Sequence, residues 1–387
     1  MASGQTVEQF IDTHINGIPE IVKIATNDEE MNLIWESLYN LESGGFGTAK
    51  VNYSREYVVK QINIGRQIER KGHMYAINNV RNEVLIYHYI AQQCVGVCSF
   101  IGCYYDKPEK LLYVKSKYCG DDLHTKLFGQ LLDFNKKLAI FGKIIDNLKC
   151  LHDNGVVYRD LKPENITISN DGTATFIDFG LSYLCETADV SDELKMNQER
   201  NIIGTMLYGD PIRPITDDDD LKKTDTYSLG VLFAIMFSKQ EDIDFLINAG
   251  FKNKSFMYRV ERMPEDARSS FWRDFNEKIK EILGDEIDDT HFFGGFDTRL
   301  TSEYLQYAFK RTQLLKYQRS INHNVTRAPS KLPDDKSFDT SRKSIVSKIK
   351  PRPKPKSRRN HSSSSEGGNN KTKRHKKTRS RKNYMRK

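Results

Sequence analysis

Residues 156–180 read VVYRDLKPENITISNDGTATFIDFG, and this stretch decides how the rest of the chain is interpreted. Asp160 is followed two residues later by a cation, Lys162, and five residues later by an amide, Asn165. A second carboxylate, Asp178, lies in an Asp-Phe-Gly turn. The β-like runs ITI and TATFI flank the turn sequence SNDG, which predicts a hairpin with Asn165 and Asp178 at its edges.

These residue types are the ones that move a phosphoryl group from a nucleotide to a hydroxyl. A carboxylate, here Asp160, orients the attacking hydroxyl and accepts its proton, and a lysine, here Lys162, offsets charge on the transferred group. An amide and a carboxylate, Asn165 and Asp178, hold Mg²⁺. The spacing therefore predicts the catalytic and metal-binding parts of a phosphotransferase.

The same residues resemble the catalytic and magnesium loops of the eukaryotic-type protein kinase superfamily. The family sequence HRDLKPEN appears here as residues 158–165, with Tyr158 in place of histidine. The resemblance implies an α+β, two-lobed kinase fold, in which a small β-rich lobe with one main helix is followed by a large, mainly helical lobe. It also implies ATP and Mg²⁺ as cofactors.

This resemblance covers roughly residues 35–310 and sets the expected domain boundaries. Residues 1–35 are expected to form an N-terminal helical extension that is broken near the sequence GIP, and the sequence leaves open whether it packs on the small lobe. Residues 36–115 are expected to form the small lobe and residues 116–320 the large lobe. Residues 321–387 are rich in Pro, Ser, Lys and Arg and poor in apolar residues, which is typical of disorder.

A glycine-rich stretch, LESGGFGTAKV, begins the small lobe at residue 41. A hairpin that lays its backbone N–H groups on phosphates needs glycines, because a Cβ would hold the chain away. Gly44 and Gly47 match two of the three family glycines and Gly45 lies between them, whereas Glu42 occupies the first position. Ala49 stands where the family usually has valine. The resemblance makes this stretch the phosphate-binding loop.

The β-run YVVK ends on Lys60, which the resemblance assigns to the α- and β-phosphates of the nucleotide. Residues 80–90 have apolar residues at helical spacing, and Glu83 on this helix falls where the family places the carboxylate partner of the lysine. Residues 63–75 are interpreted as an inserted loop. Glu69, within that loop, is the alternative partner.

The run LLYVKSKYCGDDL, which begins at residue 111, resembles the strand and hinge that join the two kinase lobes. Ser116 aligns with the position that guards the back of the adenine pocket. The resemblance assigns adenine binding to the backbone of Lys117 and Cys119, and ribose binding to Asp122.

After Asp178 the chain resembles an activation segment that ends in GTMLYGDPI. The GTxxY pattern and KPEN match the Ser/Thr branch of the family, in which Thr205 contacts the catalytic Asp160 and Lys162. Where the family has Ala-Pro-Glu, this chain has Asp-Pro-Ile, so the glutamate is replaced by Ile212. Arg299 resembles the usual ion-pair partner of that glutamate and is expected to need another acid or solvent.

Two further features of this region have alternative interpretations. Arg159 could pair with a phosphorylated hydroxyl or with a carboxylate of the acidic segment, and the available hydroxyls belong to Thr187, Ser191 and Thr205. The four acids of residues 217–220 are interpreted as a solvated insertion rather than a metal site. Asp225 is expected, from the resemblance, to bond the backbone of the catalytic loop.

Charge is distributed unevenly along the chain. The net charge is +8, but residues 341–387 carry 19 lysines and arginines and one glutamate, which leaves the remainder acidic. Such a tail favours nucleic-acid binding or nuclear import, and binding to an anionic lipid surface or simple solubility are the alternatives. No secretory signal or membrane span is recognisable. The six irregularly placed cysteines predict reduced thiols in a cytoplasmic or nuclear protein.

The sequence thus predicts an ATP- and Mg²⁺-dependent serine/threonine protein kinase that acts on protein substrates. A catalytically weak pseudokinase scaffold tethered through its basic tail is the first alternative, and a small-molecule kinase on the same fold is the second. The departures from the family pattern, together with the polybasic tail, are similar to those of kinases of large DNA viruses.

Overall fold

A computed structural model describes residues 5–44, 47–129, 132–186, 188–190, 195, 198, 204–211 and 215–326. The described strands are β1 (Val22–Lys23), β2 (Tyr39–Gly44), β3 (Gly47–Val51), β4 (Tyr57–Asn63), β5 (Phe100–Asp106), β6 (Leu111–Lys117), β7 (Asp121–Asp122), β8 (Val156–Val157), β9 (Ile166–Ile168), β10 (Ala174–Phe176) and β11 (Tyr183–Leu184). The α-helices are α1 (Val7–His14), α2 (Asp28–Glu36), α3 (Ile64–Lys71), α4 (His73–Arg81), α5 (Tyr87–Gln93), α6 (Leu123–Gly129), α7 (Phe134–Asp153), α8 (Asp218–Phe237), α9 (Gln240–Leu246), α10 (Phe256–Glu261), α11 (Glu265–Leu283), α12 (Thr290–Phe293) and α13 (Ser302–Thr326). These elements form a sheet-based small lobe and a mainly helical large lobe, as predicted.

The small lobe is built on a six-stranded sheet in the order β1-β5-β6-β4-β3-β2. The glycine-rich stretch forms the β2–β3 hairpin, and its Ala49 is paired with Lys60 on β4. At Gly47 an added Cβ would lie 2.2 Å from the carbonyl oxygen of Gln61, so the close approach of β4 requires glycine there. Gly45 lies outside the described residues.

The N-terminal extension packs on the small lobe, which the sequence left open. Its two helices, α1 and α2, begin at side-chain caps: Thr6 accepts a hydrogen bond from the backbone of Gln9, and Asn27 accepts one from Glu30. The break near Gly17 is confirmed. Between the helices, β1 adds a parallel strand to the edge of β5, a contact that its two residues did not reveal in the sequence.

The interpretation of residues 63–75 as an inserted loop is wrong. Asn63 caps a helix, α3, by accepting a hydrogen bond from the backbone of Arg66. Ile64 is buried and Ile68 packs against the core, one helical turn later. The charged residues of this helix, Arg66, Glu69, Arg70 and Lys71, are exposed, and they disguised the amphipathic pattern.

In the large lobe, α7 and α8 are the two long helices nearest the catalytic stretch. Gly155 follows α7 with φ of 70°, as a helix C-terminus favours. The acids of residues 217–220 begin a helix: Asp217 caps α8, and the next three residues form its first turn. Carboxylates at this end are stabilised by the helix dipole and by free backbone N–H groups.

The prediction of reduced cysteines is wrong for four of the six. Cys94, at the end of α5, is bonded to Cys150 on α7, and Cys98 is bonded to Cys119, whereas Cys103 and Cys185 are buried thiols. The pairs join residues 56 and 21 positions apart. Only the packing of the elements that carry them brings the sulfur atoms together.

Loss of the Cys94–Cys150 bond is expected to lower the free energy of unfolding by about 3–4 kcal/mol, because a cross-link over so long a loop restricts the unfolded chain. Denaturant titration of the Cys150→Ala variant and of wild type, without reductant, measures this difference. Peptide mapping without reduction checks the pairing itself. Labelling of all six cysteines in the denatured, unreduced chain would contradict the assignment.

No helix within the described ranges is both long enough and apolar enough to pass through a bilayer.

Candidate active site

Lys60 lies between two carboxylates at the inner face of the small lobe. Its Nζ is 2.5 Å from Oε1 of Glu83 and 2.8 Å from Oδ1 of Asp178. The Glu83 side chain is only 3% exposed and that of Asp178 is 28% exposed, so the second carboxylate borders open space. The structure therefore joins the predicted lysine, its preferred partner Glu83 and a predicted metal ligand. Glu69, the alternative, lies on α3.

The charged groups of this cluster shift one another's pKa values. Burial alone would lower the pKa of Lys60, but the neighbouring carboxylates of Asp178 and Glu83 outweigh burial and raise it. Burial raises the pKa of Glu83 to about 8, and the lysine offsets only part of this effect. For Asp178, the lysine overcomes burial and lowers the pKa to about 2. Lys60 is thus cationic and Asp178 anionic at neutral pH.

Glu83 is held by a helix of unusual geometry. We call residues 73–93 the Glu83 helix; it consists of α4, a π-helical turn at Asn82–Ile86, and α5. Asn79 and Asn82 donate side-chain hydrogen bonds of 3.2 and 3.1 Å to the carbonyl oxygen of Gly180. An added Cβ at Gly180 would lie 2.4 Å from Oε1 of Glu83, so the glycine after Asp-Phe is required for this close contact.

Asp160 forms the second centre of the site and is 5% exposed. Its Oδ2 accepts hydrogen bonds from Nζ of Lys162 at 2.7 Å and from the side-chain amide of Asn165 at 2.8 Å. Its Oδ1 accepts bonds from the backbone N–H and hydroxyl of Thr205, both at 3.1 Å. Lys162 also donates to the Thr205 hydroxyl at 2.9 Å, so the predicted contact of Thr205 with both residues is confirmed.

Asp225 on α8 forms hydrogen bonds with the backbone of the catalytic stretch, as predicted. Its carboxylate accepts the backbone N–H groups of Tyr158 and Arg159, both at 2.8 Å. Arg159 has a positive φ of 64°, a strained conformation that these bonds maintain directly before Asp160. The Asp225 carboxylate also contacts His152 on α7 at 2.9 Å, which ties two helices to the loop.

Tyr158 replaces the family histidine and is completely buried. Its hydroxyl donates to the carbonyl oxygen of Ile177, directly before Asp178. Its ring stacks on Phe176 at 5.0 Å and meets Phe179 edge-on at 5.3 Å. Phe179 stacks in turn on Tyr87 of the Glu83 helix at 5.1 Å. The substitution therefore preserves a packed connection between the catalytic loop and the small lobe.

The strand that follows the hinge, β7, forms an antiparallel pair with β9 of the catalytic hairpin. The N–H of Lys117 donates to Ser99, so its carbonyl oxygen is the group with which it could bind a base. The side chain of Cys119 is in a disulfide bond. Asp122 accepts hydrogen bonds of 2.8 Å from the backbone and hydroxyl of Thr125, which orients its carboxylate at the start of α6.

Arg299 forms its ion pair with Asp210, a partner that the sequence did not lead us to predict. The guanidinium binds the carboxylate through two nitrogens, one of them at 3.0 Å, and neither side chain is exposed. Asp210 is the first residue of the Asp-Pro-Ile sequence, two positions before Ile212, which lies outside the described residues. The signal was present, because an aspartate stands where the family has alanine. The segment is therefore anchored by a shifted ion pair.

The donor atoms at the hairpin suit Mg²⁺. Asn165 uses its amide N–H₂ to bond Asp160, which leaves its carbonyl oxygen as an acceptor. Asp178 contacts Lys60 through its Oδ1. Hard oxygen donors are those that Mg²⁺ prefers. Among the described residues, no group of three or more His, Cys, Asp or Glu side chains could hold a metal.

Comparison with known proteins agrees with this geometry. Residues 35–291 match the family described as the protein kinase domain. The chain is 29% identical over 263 residues to calcium-dependent protein kinase 29 of Arabidopsis thaliana, covering 66% of this chain and 45% of that protein. It is 28% identical over 311 residues to the serine/threonine protein kinase ypkA of Aspergillus fumigatus, covering 77% and 44%. The chain thus spans less than half the length of these relatives.

Proposed function

Because this chain belongs to the protein kinase family, we propose that it transfers the γ-phosphoryl group of ATP to serine and threonine hydroxyls of proteins, with Mg²⁺ bound in the cleft. The observation that carries this proposal is the meeting of Lys60, Glu83 and Asp178 in one ion cluster. The contact between Lys60, from the front of the chain, and Asp178, from its middle, supports a single binding site for a nucleoside triphosphate.

Each residue of the site has a role in this reaction. The substrate hydroxyl gives its proton to Asp160 as its oxygen attacks the γ-phosphorus, and the bond to the β-phosphate oxygen breaks to release ADP. Lys162 neutralises charge on the transferred group, and Lys60 does so on the α- and β-phosphates. Thr205, bonded to both Asp160 and Lys162, holds their relative orientation. Bound Mg²⁺, held by Asn165 and Asp178, would neutralise phosphate charge.

The backbone at the glycine-rich hairpin and the hinge is proposed to hold the nucleotide. Gly44, Gly45 and Gly47 would lie over the phosphates, with Ala49 above the base. The main chain of Lys117 and Cys119 would bond the adenine edge, and Asp122, already oriented by Thr125, would reach the ribose. These residues position ATP, whereas the chemistry belongs to the catalytic stretch.

Labelled ATP tests this proposal directly. The full chain is incubated with γ-labelled ATP, Mg²⁺ and a basic protein substrate, and acid hydrolysis identifies the labelled amino acid. Phosphoserine or phosphothreonine is expected. Label in neither the substrate nor the chain itself would favour a pseudokinase scaffold, and label on a small metabolite alone would favour a small-molecule kinase.

Replacement of Lys60 by methionine is expected to lower kcat/KM for ATP by about 100-fold or more, since one preorganised charge on the phosphates is lost. Loss of the lysine would also raise the pKa of Glu83 further, because Lys60 is the neighbour that lowers it. Initial rates over a range of ATP concentrations measure the effect. Lys115→Met is the matched control, because Lys115 lies on the neighbouring strand with its Nζ over the Tyr57 ring. Equal activity of both variants would contradict the role of Lys60.

We propose a second activity for residues 341–387, which lie outside the described residues: binding of nucleic acid through the phosphate backbone. Their net charge of +18 supports this, because displaced counterions make such binding favourable and strongly salt-dependent. The full chain is expected to bind random-sequence duplex DNA at least about tenfold more weakly at 200 than at 50 mM salt. A chain ending at residue 340 should lose this binding. Equal DNA binding by both chains would refute the proposal, and preference for anionic vesicles would assign the tail to membranes.

A further inference from the structure

We propose that the N-terminal extension, residues 5–36, is a positioning element for the Lys60–Glu83 ion pair. One of its helices packs behind the helix that carries Glu83, and the other packs behind the strand that carries Lys60. Residues 5–34 precede the matched kinase domain, so this support is an addition to it. The inference deepens the proposed function and depends on it only for the activity measurement.

Helix α1 contacts α4, the first segment of the Glu83 helix. Phe10 is 6% exposed and, like Val7 and Ile11, is buried in the hydrophobic core to which Ala76, Ile77 and Val80 of α4 also belong. Burial of such side chains is favourable in proportion to the apolar area removed from water. The apolar face of α1 therefore stabilises the Glu83 helix in its observed place.

Polar contacts fix the orientation of α1 on the sheet. The hydroxyl of Tyr105 on β5 donates to Glu8 at 3.2 Å. Lys107, one residue beyond β5, bonds Asp12 at 2.9 Å. These contacts lie one turn apart on α1, so the helix cannot rotate or slide freely. The pairing of β1 with β5 anchors the chain that follows.

Helix α2 covers the face of the sheet that is opposite to the face occupied by Lys60. Successive residues of a strand face opposite sides, so Val59 points away from the face that Lys60 occupies. Val59 and Met31 of α2 are both buried and share a cluster with Tyr113 on β6. Trp35 of α2 meets the Tyr113 ring edge-on at 5.5 Å. Helix α2 thus packs against the strand that carries Lys60, and α1 packs against the helix that carries Glu83.

The Glu83 helix is consequently held from two directions. Toward the site, Asn79 and Asn82 bond the carbonyl oxygen of Gly180. On another side, α1 covers it. Without α1 those two amide hydrogen bonds, the stacking of Tyr87 on Phe179 and the Cys94–Cys150 bond would have to retain the helix while the apolar surface of α4 was exposed to water. We infer that Glu83 would then leave Lys60 more often, which would weaken nucleotide positioning.

Hydrogen exchange in the full chain tests the contact without depending on catalysis. The variant Phe10→Asp places a charge in the α1 interface, and Thr13→Asp places the same charge on the exposed side of α1. Phe10→Asp is expected to speed exchange of the Glu83-helix amides at least about tenfold, while α7 in the large lobe stays within about twofold of wild type. Thr13→Asp should change neither. Unchanged exchange in the Glu83 helix, or an equal loss of protection in α7, would overturn the inference.

A double-mutant cycle tests whether α1 acts through the ion pair. Phe10→Asp is expected to lower kcat/KM for ATP at least about tenfold in the wild-type background. In a Glu83→Gln background the same substitution should cost less than about twofold, since the pair is already lost. An equal cost in both backgrounds would show general destabilisation and refute the positioning role. If the wild-type chain shows no phosphotransfer, only the proposed function is refuted. Hydrogen exchange would still test the contact between α1 and the Glu83 helix.

Discussion

Replacement of Asp160 by asparagine is expected to lower kcat by about 10²–10⁴-fold, because the acceptor of the hydroxyl proton is lost while the shape of the side chain is retained. Binding of ATP with Mg²⁺ should change little, since the proposed nucleotide contacts belong to Lys60, Asn165 and Asp178. Steady-state kinetics give kcat, and calorimetric titration gives the nucleotide affinity. The two measurements separate loss of chemistry from loss of binding.

Asp153→Asn provides the matched control for this experiment. Asp153 is an exposed carboxylate at the end of α7 that pairs with Lys149, so the same chemical change is made away from the site. Its kcat should equal that of wild type. Retention of most activity in Asp160→Asn would show that another group accepts the proton, and the assignment of the catalytic carboxylate would then be abandoned.

Replacement of Arg299 by methionine is expected to lower the free energy of unfolding by about 3–5 kcal/mol. The reason is that Asp210, whose side chain is fully buried, would be left charged and without its guanidinium partner. Denaturant titration followed by fluorescence measures the change. The segment that carries Thr205 ends at this ion pair, so activity should also fall at temperatures where the folded state persists.

The control for Arg299 distinguishes the ion pair from the loss of any charge nearby. Asp297 is exposed two residues away, and Asp297→Asn should alter stability by no more than about 0.5 kcal/mol. A double variant, Arg299→Met with Asp210→Leu, should recover most of the loss, since an apolar pair avoids the cost of a buried unpaired charge. A stability of Arg299→Met equal to that of wild type would contradict the anchoring role.

Local chemistry explains why the catalytic stretch could be interpreted from the sequence. Asp160, Lys162 and Asn165 lie within one short loop, so their spacing alone places their side chains near one another. The turn SNDG between two β-runs predicts the hairpin that carries Asp178 to the same place. Helical periodicity, in the same way, predicted the helix of Glu83.

Contacts between distant segments were harder to predict from the sequence. Asp210 and Arg299 are 89 residues apart, and the one sequence signal for this pair was the aspartate that stands where the family has alanine. The cysteine pairs, the parallel strand β1 and the packing of α1 on the Glu83 helix are of the same kind. The helical character of residues 64–71 was missed because only two of its residues, Ile64 and Ile68, face the core.

The sequence by itself determined the family and the residue types of the reaction centre, because periodic patterns and close spacing are properties of the local chain. Only the tertiary structure decided which acid pairs with Arg299, which cysteines join, and where residues 5–36 lie. Those choices depend on which surfaces meet when the lobes are packed, and burial and ion pairing favour a particular partner only after distant segments have come together.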